Sequence, residues 1–147
     1  MKWDTRFLDL ARHVASWSKD PSTQCGTVIV RPDRTIASVG FNGLPRGVED
    51  IPERLMDRDK KLQYVVHAET NAILASREPL NDYSLYVWPF QPCCHCAAAI
   101  IQSGIKKVYC PNAPVSRWTE SFEIARKMFC EANVSLNLLD VNLSDQS

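Results

Sequence analysis

The spacing of apolar and polar residues predicts alternating helices and strands. Near the N-terminus, apolar side chains recur at helical spacing between charged ones, which predicts an amphipathic helix over residues 3–19. Its expected apolar face consists of Trp3, Phe7, Leu10, Val14 and Trp17. A β-branched run at 25–31 and a second apolar segment at 35–41 flank a Pro-Asp-Arg turn, which predicts a hairpin of two strands.

The second half of the chain alternates regularly between the two kinds of element. Helices are predicted over residues 67–77, 93–103 and 117–131, and strands over residues 85–88, 107–110 and 136–139. Gly104 is the expected C-cap of the middle helix. Because such alternation is typical of parallel strands joined by helical crossovers, we expect an α/β protein. Its mixed central sheet of about five strands should carry helices on both faces.

Two segments before residue 67 lack a regular pattern. Residues 42–47 have the sequence NGLPRG and are predicted to be a loop, because two glycines and a proline interrupt them. Residues 48–64 are charged and irregular, and we expect one short helix near residues 54–62. The charged run over residues 49–61 is interpreted as a solvated face.

Length and charge narrow the class of protein. The 147 residues are 45% hydrophobic and 23% charged, so we expect a single globular domain over residues 1–147. Lys plus Arg and Asp plus Glu both number 17, and the resulting net charge of zero argues against a broad basic face for polynucleotides. No stretch approaches the ~18 apolar residues of a membrane span, and the N-terminus lacks the apolar core of a signal peptide. We therefore predict a cytoplasmic protein without a membrane partner.

Two short motifs bring metal-binding residue types to predicted helix starts. Cys93 and Cys96 form a Cys-x-x-Cys pair, and His67 opens the preceding predicted helix. Clustered intracellular thiols more often bind metal than form disulfides. Three protein ligands with an open fourth position are the pattern of a catalytic zinc site. Glu69 reaches the same site only if the helix begins there, since two residues along an ideal helix turn by ~200°. In that position it would serve as a base.

The remaining cysteines are expected to have no metal role. Cys94 and His95 lie inside the Cys-x-x-Cys turn and are expected to point away from the metal. Cys25, Cys110 and Cys130 lie in apolar segments. Free cysteine behaves as a small hydrophobic residue, so these three are predicted to be core thiols.

Taken in order, the motifs resemble those of zinc-dependent cytidine and deoxycytidylate deaminases. The family signature is H-x-E followed by P-C-x-x-C, which this chain matches with HAE at 67–69 and PCCHC at 92–96. Three further segments are similar to the deoxycytidylate (dCMP) deaminase branch, namely SKDPST at 18–23, GFNGLPRG at 40–47 and HAETNAI at 67–73. The resemblance covers nearly the whole chain.

The resemblance implies a fold, a reaction and a set of site residues. The fold is the three-layer α/β/α cytidine deaminase-like fold. The reaction is zinc-dependent hydrolytic deamination of a free cytosine nucleotide, with dCMP converted to dUMP and ammonia released. Zn²⁺ is then held by His67, Cys93 and Cys96. Glu69 takes a proton from water and passes protons to the base and the leaving amine, and the backbone N–H of Ala68 contacts the base.

Further contacts to the nucleotide are expected from loops. Asn42 is expected to contact the sugar hydroxyl. Ser22, Thr23 and Arg46 are candidates for the 5′-phosphate, which needs hydrogen-bond donors or positive charge. Trp88 stands where relatives commonly have a small residue, and we expect it to pack against the base or to narrow the pocket. The family also implies a homo-oligomer and possible regulation by dCTP and dTTP.

Several alternatives stay open on the sequence alone. The unusual residues Trp88 and Cys25 leave room for a modified cytosine, a triphosphate or a nucleoside as substrate. A deaminase of tRNA or single-stranded DNA is disfavoured by the zero net charge. The other two alternatives are a zinc domain that binds without catalysis and a thiol redox protein built on Cys93 and Cys96.

Overall fold

The computed structural model describes residues 2–113 and 115–140. Within these two ranges, five strands and six helices follow one another, with a short 3₁₀ turn before the last helix. In chain order these are α1 (Lys2–Ala15), β1 (Gly26–Val30), β2 (Ile36–Phe41), α2 (Pro52–Met56), α3 (Arg58–Tyr64), α4 (Ala68–Ala75), β3 (Ser84–Trp88), α5 (Cys94–Ser103), β4 (Lys107–Pro111), the 3₁₀ turn (Ser116–Trp118), α6 (Thr119–Glu131) and β5 (Ser135–Leu139).

The strands form one mixed sheet in the order β2-β1-β3-β4-β5. Strand β1 pairs antiparallel with β2 in the predicted hairpin, and it also pairs antiparallel with β3. From β3 onward the pairing is parallel, to β4 and then to β5. The helices α5 and α6 supply the crossovers between these parallel strands, which confirms the mixed five-stranded sheet expected from the helix–strand alternation.

Helices cover both faces of the sheet and give three layers. On one face, α1 packs against β1 and β3, and the second face carries α4, α5 and α6. The core on the α1 side contains Phe7, Leu8, Ala11, Val14, Val28, Val30 and Tyr86. The core on the other side includes Ile29, Ala72, Leu85, Val87, Ala97, Ile100, Val108 and Phe129. The predicted three-layer α/β/α architecture is therefore confirmed.

Two glycines allow helices to lie directly on strand backbones. A Cβ atom at Gly26 in β1 would lie 2.1 Å from the carbonyl oxygen of Ala11 in α1. A Cβ atom at Gly40 in β2 would lie 2.4 Å from the backbone nitrogen of Ala72 in α4. Only glycine fits such contacts with backbone atoms. The contact at Gly40 fixes the position of α4, whose N-terminus begins the pocket described below.

The first helix differs from its prediction in length and in its buried face. It ends at Ala15 rather than at residue 19, and residues 16–18 continue as turns whose N–H groups bond three residues back. Its buried side chains are Phe7, Leu8, Ala11, Val14 and Ala15. The tryptophans of the predicted face, Trp3 and Trp17, remain 41% and 49% exposed. The backbone of α1 lies so close to Gly26 that only small side chains fit there, and Ala11 and Ala15 occupy these positions.

The charged segment before α4 also differs from its prediction. It forms the two short helices α2 and α3 instead of one. Asp57 separates them, because its carboxylate accepts hydrogen bonds from the N–H groups of Asp59 and Lys60 and so caps the start of α3. The predicted C-cap of α5 is confirmed, since Gly104 has a positive φ of 90°. Across the described ranges, none of the helices is long and apolar enough to cross a bilayer.

Candidate active site

The predicted metal ligands lie at the starts of two neighbouring helices. His67 is the N-cap of α4 and Cys93 is the N-cap of α5, and both have extended backbone angles. The helix therefore starts at Ala68, directly after the histidine. The sequence required the helix to begin at this point, because His67 and Glu69 can face one site only if the chain enters the helix between them. The structure confirms this requirement.

Three donor atoms converge between these helix starts. The Nδ1 atom of His67 lies 3.5 Å from the Sγ atom of Cys93 and 3.3 Å from the Sγ atom of Cys96. All three donor atoms lie within 4.8 Å of one another. A tetrahedral zinc ion with the usual Zn–N and Zn–S lengths would put its nitrogen and sulfur ligands about 3.5 Å apart. The donor set therefore fits Zn²⁺, and three protein donors leave one tetrahedral position for water.

Hydrogen bonds favour the thiolate form at one of the two cysteine ligands, Cys93. Hydrogen bonding by Cys96 lowers the pKa of Cys93; burial opposes this shift and hydrogen bonding by His67 adds to it. The same hydrogen bond, together with burial, raises the pKa of Cys96. The hydroxyl group of Thr70 lies 3.8 Å from the Sγ atom of Cys96. The first N–H of α5, at Cys94, donates to the Oγ atom of Ser121 in α6 at 2.9 Å. The start of α5, which carries the two cysteines, is thus in contact with α4 through Thr70 and with α6 through Ser121.

Glu69 is a buried carboxyl group at the base of a pocket. Its side chain and backbone together are only 6% exposed. Burial raises the pKa of Glu69 to about 7, and the His67 ring acts in the opposite direction. A carboxyl group with this pKa can both accept and release a proton near neutral pH, which is what a general acid–base requires.

The pocket extends from Glu69 to the protein surface between α3, the segment 20–25 and the 3₁₀ turn. Its lining combines the metal donors, an apolar and aromatic wall, and polar or basic side chains near the opening. The lining residues are Asp20, Thr23, Cys25, Asn42, Arg58, Lys61, Leu62, Val65, His67, Ala68, Glu69, Val87, Phe90, Gln91, Cys93, Arg117, Trp118 and Phe122.

Half of the residues predicted to bind substrate line this pocket. Thr23, Asn42 and Ala68 do so. Ser22 and Arg46 are exposed and are absent from the described lining, although the hydroxyl group of Ser22 bonds to a lining residue, as described below.

The placement predicted for Trp88 is wrong. Side chains alternate along β3, so Val87 faces the pocket while Trp88 packs with the α1-side core. There its ring lies 5.8 Å from the guanidinium group of Arg12.

Asn42 holds the segment 20–25 in place. Its Oδ1 atom accepts a hydrogen bond from the N–H of Cys25 at 2.8 Å, and its Nδ2 atom donates to the carbonyl oxygen of Thr23 at 2.9 Å. A longer hydrogen bond of 3.4 Å runs from Nδ2 to Asp20. The amide is thus engaged at both ends within the protein, and it shapes the pocket wall beside Thr23.

Three aromatic side chains form one wall of the pocket. Phe90 and Phe122 have ring centroids 5.7 Å apart, and Trp118 stacks on Phe122 at 6.4 Å. The indole N–H of Trp118 is buried and has no hydrogen-bond partner among the described residues. The helical spacing of Trp118 and Phe122 is apparent in the sequence, but it predicts packing rather than a pocket wall.

Three basic side chains at the opening were missed by the sequence analysis. We call Arg58, Lys61 and Arg117 the cationic mouth. Arg117 donates to the Oγ1 atom of Thr23 at 3.1 Å, and Lys61 lies 3.2 Å from the carboxylate of Asp20. Arg58 and Lys61 belong to the run interpreted as a solvated face, whereas Arg117 is far away in sequence. No local motif could have grouped them.

The other cysteines divide in a way that partly differs from the prediction. Cys94 and His95 lie outside the metal-binding group, as expected, and Cys110 is fully buried in the core. Cys25 is only partly buried and lines the pocket. The prediction for Cys130 is wrong, because it is exposed. It follows the buried Phe129 on α6, and the rotation of about 100° per residue turns its side chain away from the buried face of that helix.

The fold and site together define a class of protein. A His-Cys-Cys donor group with one open tetrahedral position and a buried carboxyl group beside it is the site of a zinc-dependent hydrolase. A family profile described as the cytidine and deoxycytidylate deaminase zinc-binding region matches residues 1–111. The chain therefore belongs to this family of zinc-binding deaminases, which replaces the alternative of a thiol redox protein.

Curated relatives agree with this family. An uncharacterized deaminase of Aliivibrio fischeri is 46% identical over 145 residues, which are 97% of each protein. A probable deoxycytidylate deaminase of Caenorhabditis elegans is 48% identical over 113 residues, 74% of this chain and 57% of the relative. Human deoxycytidylate deaminase is 40% identical over 114 residues, again 74% of this chain and 64% of the relative. The chain thus matches less than two thirds of the length of these two deoxycytidylate deaminases.

A solved structure shows the same fold. The dCMP deaminase of cyanophage S-TIM5, crystallised with dCMP and dUMP, superimposes with a TM-score of 0.74. The match covers 94% of this chain and 97% of the phage protein at 23% identity. At that identity the likeness shows the fold, and it confirms the cytidine deaminase-like architecture.

Proposed function

We propose that this protein catalyses the hydrolytic deamination of a free cytosine nucleotide, converting dCMP to dUMP with release of ammonia. The observation that carries the proposal is the layout of the pocket. The metal donors and Glu69 lie at its buried end and the cationic mouth lies at its surface end. A pyrimidine monophosphate has the matching order of groups, with a reactive ring at one end and a phosphate at the other.

At the buried end, His67, Cys93 and Cys96 are assigned as the zinc ligands. Zinc bound there supplies the Lewis acidity that makes water a nucleophile at neutral pH. Glu69 accepts a proton from the attacking water, and protons then pass to N3 of the ring and to the departing amine. The C4–O bond forms, the C4–N bond breaks, and uracil and ammonia result. The N–H of Ala68, in the first turn of α4, is assigned to the base.

At the surface end, the cationic mouth is assigned to the 5′-phosphate. Arg117 and Thr23 are already hydrogen-bonded to each other, so the arginine is oriented before a ligand arrives. Guanidinium groups bind phosphate oxygens through two parallel hydrogen bonds. The aromatic wall of Phe90, Trp118 and Phe122 lies between the two ends and supports the placement of a flat base there.

The test is a substrate panel on the zinc-loaded protein, with ammonia release as the readout. We expect the highest kcat/KM for dCMP, compared with deoxycytidine, dCTP, 5-methyl-dCMP and a cytosine-containing single-stranded oligonucleotide. Each assay is repeated with dCTP and with dTTP to test the predicted regulation. Turnover of the oligonucleotide or of deoxycytidine at a higher kcat/KM than dCMP would overturn the proposal. Zinc binding without turnover of any substrate would favour the non-catalytic zinc domain instead.

A further inference from the structure

Asp20 lies where helix α3 meets the segment that precedes β1. Its side chain is 4% exposed, and it accepts hydrogen bonds from three neighbours in its own segment and in β2's following loop. These are the N–H of Ser22 at 2.9 Å, the N–H of Thr23 at 3.1 Å and the amide of Asn42 at 3.4 Å. Burial opposes ionisation, but these backbone bonds and Lys61 hold the pKa of Asp20 below its usual range. Asp20 is therefore an anion at neutral pH.

Lys61 reaches this carboxylate from α3. Its Nζ atom lies 3.2 Å from Asp20 and donates to the Oγ atom of Ser22 at 2.8 Å, and its side chain is only 12% exposed. An ammonium group has three N–H donors. The third donor remains for the pocket, which Lys61 lines together with Arg117.

The ion pair matters because α3 buries no side chain in the core of the protein. None of the side chains of α2 or α3, both of which are fully described, is buried. The parallel link between these segments, from Lys19 to Asp50, has side chains 74% and 43% exposed. Exposed pairs of this kind contribute little to stability. The pair between Asp20 and Lys61 is thus a shielded connection between α3 and the segment that precedes β1, in addition to the backbone bridge between Gly43 and Val66 that follows α3.

We propose that Asp20 is a positioning residue, which fastens α3 over the pocket and aims Lys61 at the phosphate of the substrate. The phosphate part of this inference rests on the proposed function. The fastening of α3 rests on the contacts alone. Asp20 belongs to the pocket lining, but its side chain is only 4% exposed, so in this arrangement its charge acts through Lys61.

The principal variant is Asp20→Asn. Its remaining side-chain oxygen can still accept from the N–H groups of Ser22 and Thr23, so the variant loses the charge opposite Lys61 and the long hydrogen bond from Asn42. The companion variants are Lys61→Met, which removes the cation, and Lys61→Arg, which keeps it. Asp50→Asn breaks the exposed pair with Lys19 and is the matched control.

The first readout is steady-state kinetics of the zinc-loaded enzyme with dCMP. We expect Asp20→Asn and Lys61→Met to raise KM about tenfold, the size of a lost hydrogen bond to a charged group, while kcat changes less than about threefold. Lys61→Arg should recover part of the affinity and Asp50→Asn should match the wild type. An unchanged KM in both Asp20→Asn and Lys61→Met overturns the proposal. So does a loss confined to kcat, which indicates general distortion of the site.

The second readout is amide hydrogen exchange of the same holoenzymes without substrate. We expect faster exchange over residues 58–64 in Asp20→Asn, no change over α5, and wild-type exchange in Asp50→Asn. Unaltered exchange over residues 58–64 shows that Asp20 does not fasten α3. If the wild type fails to turn over dCMP, the proposed function fails, yet this measurement still decides the role of Asp20.

Discussion

The two ends of the pocket are constructed in different ways. The metal end consists of His67, Glu69, Cys93 and Cys96, which occupy the first turns of two helices packed on the sheet. The cationic mouth is assembled from α3 and from the 3₁₀ turn, which lie far apart in sequence and project exposed arginines. One end is part of the buried core, whereas the other depends on surface segments that meet only in the folded chain.

Because of this difference, we expect the metal end to determine the reaction and the cationic mouth to determine which substrate binds. At the metal end, the spacing of the four residues follows from helix geometry, and the side chains packed around them leave little space for larger substitutions. The mouth can alter through single substitutions on the surface without disturbing the core. We therefore expect changes at the metal end to abolish turnover or folding, and changes at the mouth to alter affinity.

Replacement of the carboxyl group at the metal end should have the largest effect on turnover. We expect Glu69→Gln to reduce kcat by about 10²–10⁴-fold, because the amide cannot move protons, while zinc content stays at one ion per chain. Ammonia release and metal analysis on the same sample check this. A variant that keeps its activity would show that another group is the general base.

Loss of a proposed ligand should remove the metal. We expect Cys96→Ala to bind zinc at least about 100-fold more weakly, beyond the usual effect of residues that only hydrogen-bond a ligand. Competition with a chromophoric chelator measures the affinity. Cys130→Ala is the control, because that thiol is exposed on α6. Equal zinc affinity in the two variants would contradict the ligand assignment.

A methyl group beneath α4 should destabilise the metal end through packing. We expect Gly40→Ala to lower the free energy of unfolding by about 1–3 kcal/mol, because its Cβ would meet backbone atoms of Ala68 and Ala72. Gly43→Ala is the matched control, since nothing lies within 4 Å of its Cβ position. Urea unfolding of the zinc-loaded proteins compares the two. Similar stabilities would mean that α4 can shift away from β2.

Substitutions at the mouth should act on affinity. We expect Arg117→Met to raise KM for dCMP about tenfold with kcat nearly unchanged. Arg46→Met provides a sharp comparison, because Arg46 was the arginine expected from the loop sequence but lies outside the described pocket lining. Its KM should equal that of the wild type. The opposite ranking would return the phosphate site to the loop over residues 42–47.

The smallest expected effect is the contribution of Asp20 to the free energy of unfolding at low pH. Because its pKa is lowered in the folded protein, its contribution to stability is complete above the ordinary aspartate pKa and disappears as pH falls through the folded value. We therefore expect the wild type to lose more stability than Asp20→Asn as the pH is lowered from 5 to 3. Urea unfolding at several pH values measures the slopes, and parallel slopes would exclude Asp20 as a source of the acid sensitivity.

The sequence predicted what depends on local spacing. His67 and Glu69 are separated by one residue, and Cys93 and Cys96 by two, so a helix start is sufficient to bring each pair to one site. Strand and helix order followed from periodicity for the same reason. These features require no knowledge of which distant segments meet.

Other features depended on tertiary contacts. Trp88 was misplaced because the sequence does not say which face of β3 carries the pocket. Lys61 lies in a charged run that is typical of solvated surface, and its contacts with Asp20 and Ser22 appear only in the folded chain. Cys130 has an apolar context, but the direction of its side chain depends on how α6 is rotated over the sheet.

The absence of buried side chains in α2 and α3 has a consequence for how this protein can diversify. We therefore expect residues 52–64, apart from Lys61, to tolerate insertions and replacements, because changes there do not open the hydrophobic core. Grafting the corresponding segment from another deaminase would change the shape and the charges of the pocket wall. The residues of the metal end would not be altered. Directed evolution aimed at other nucleotides can therefore begin with residues 52–64, which are expected both to tolerate substitutions and to influence substrate preference.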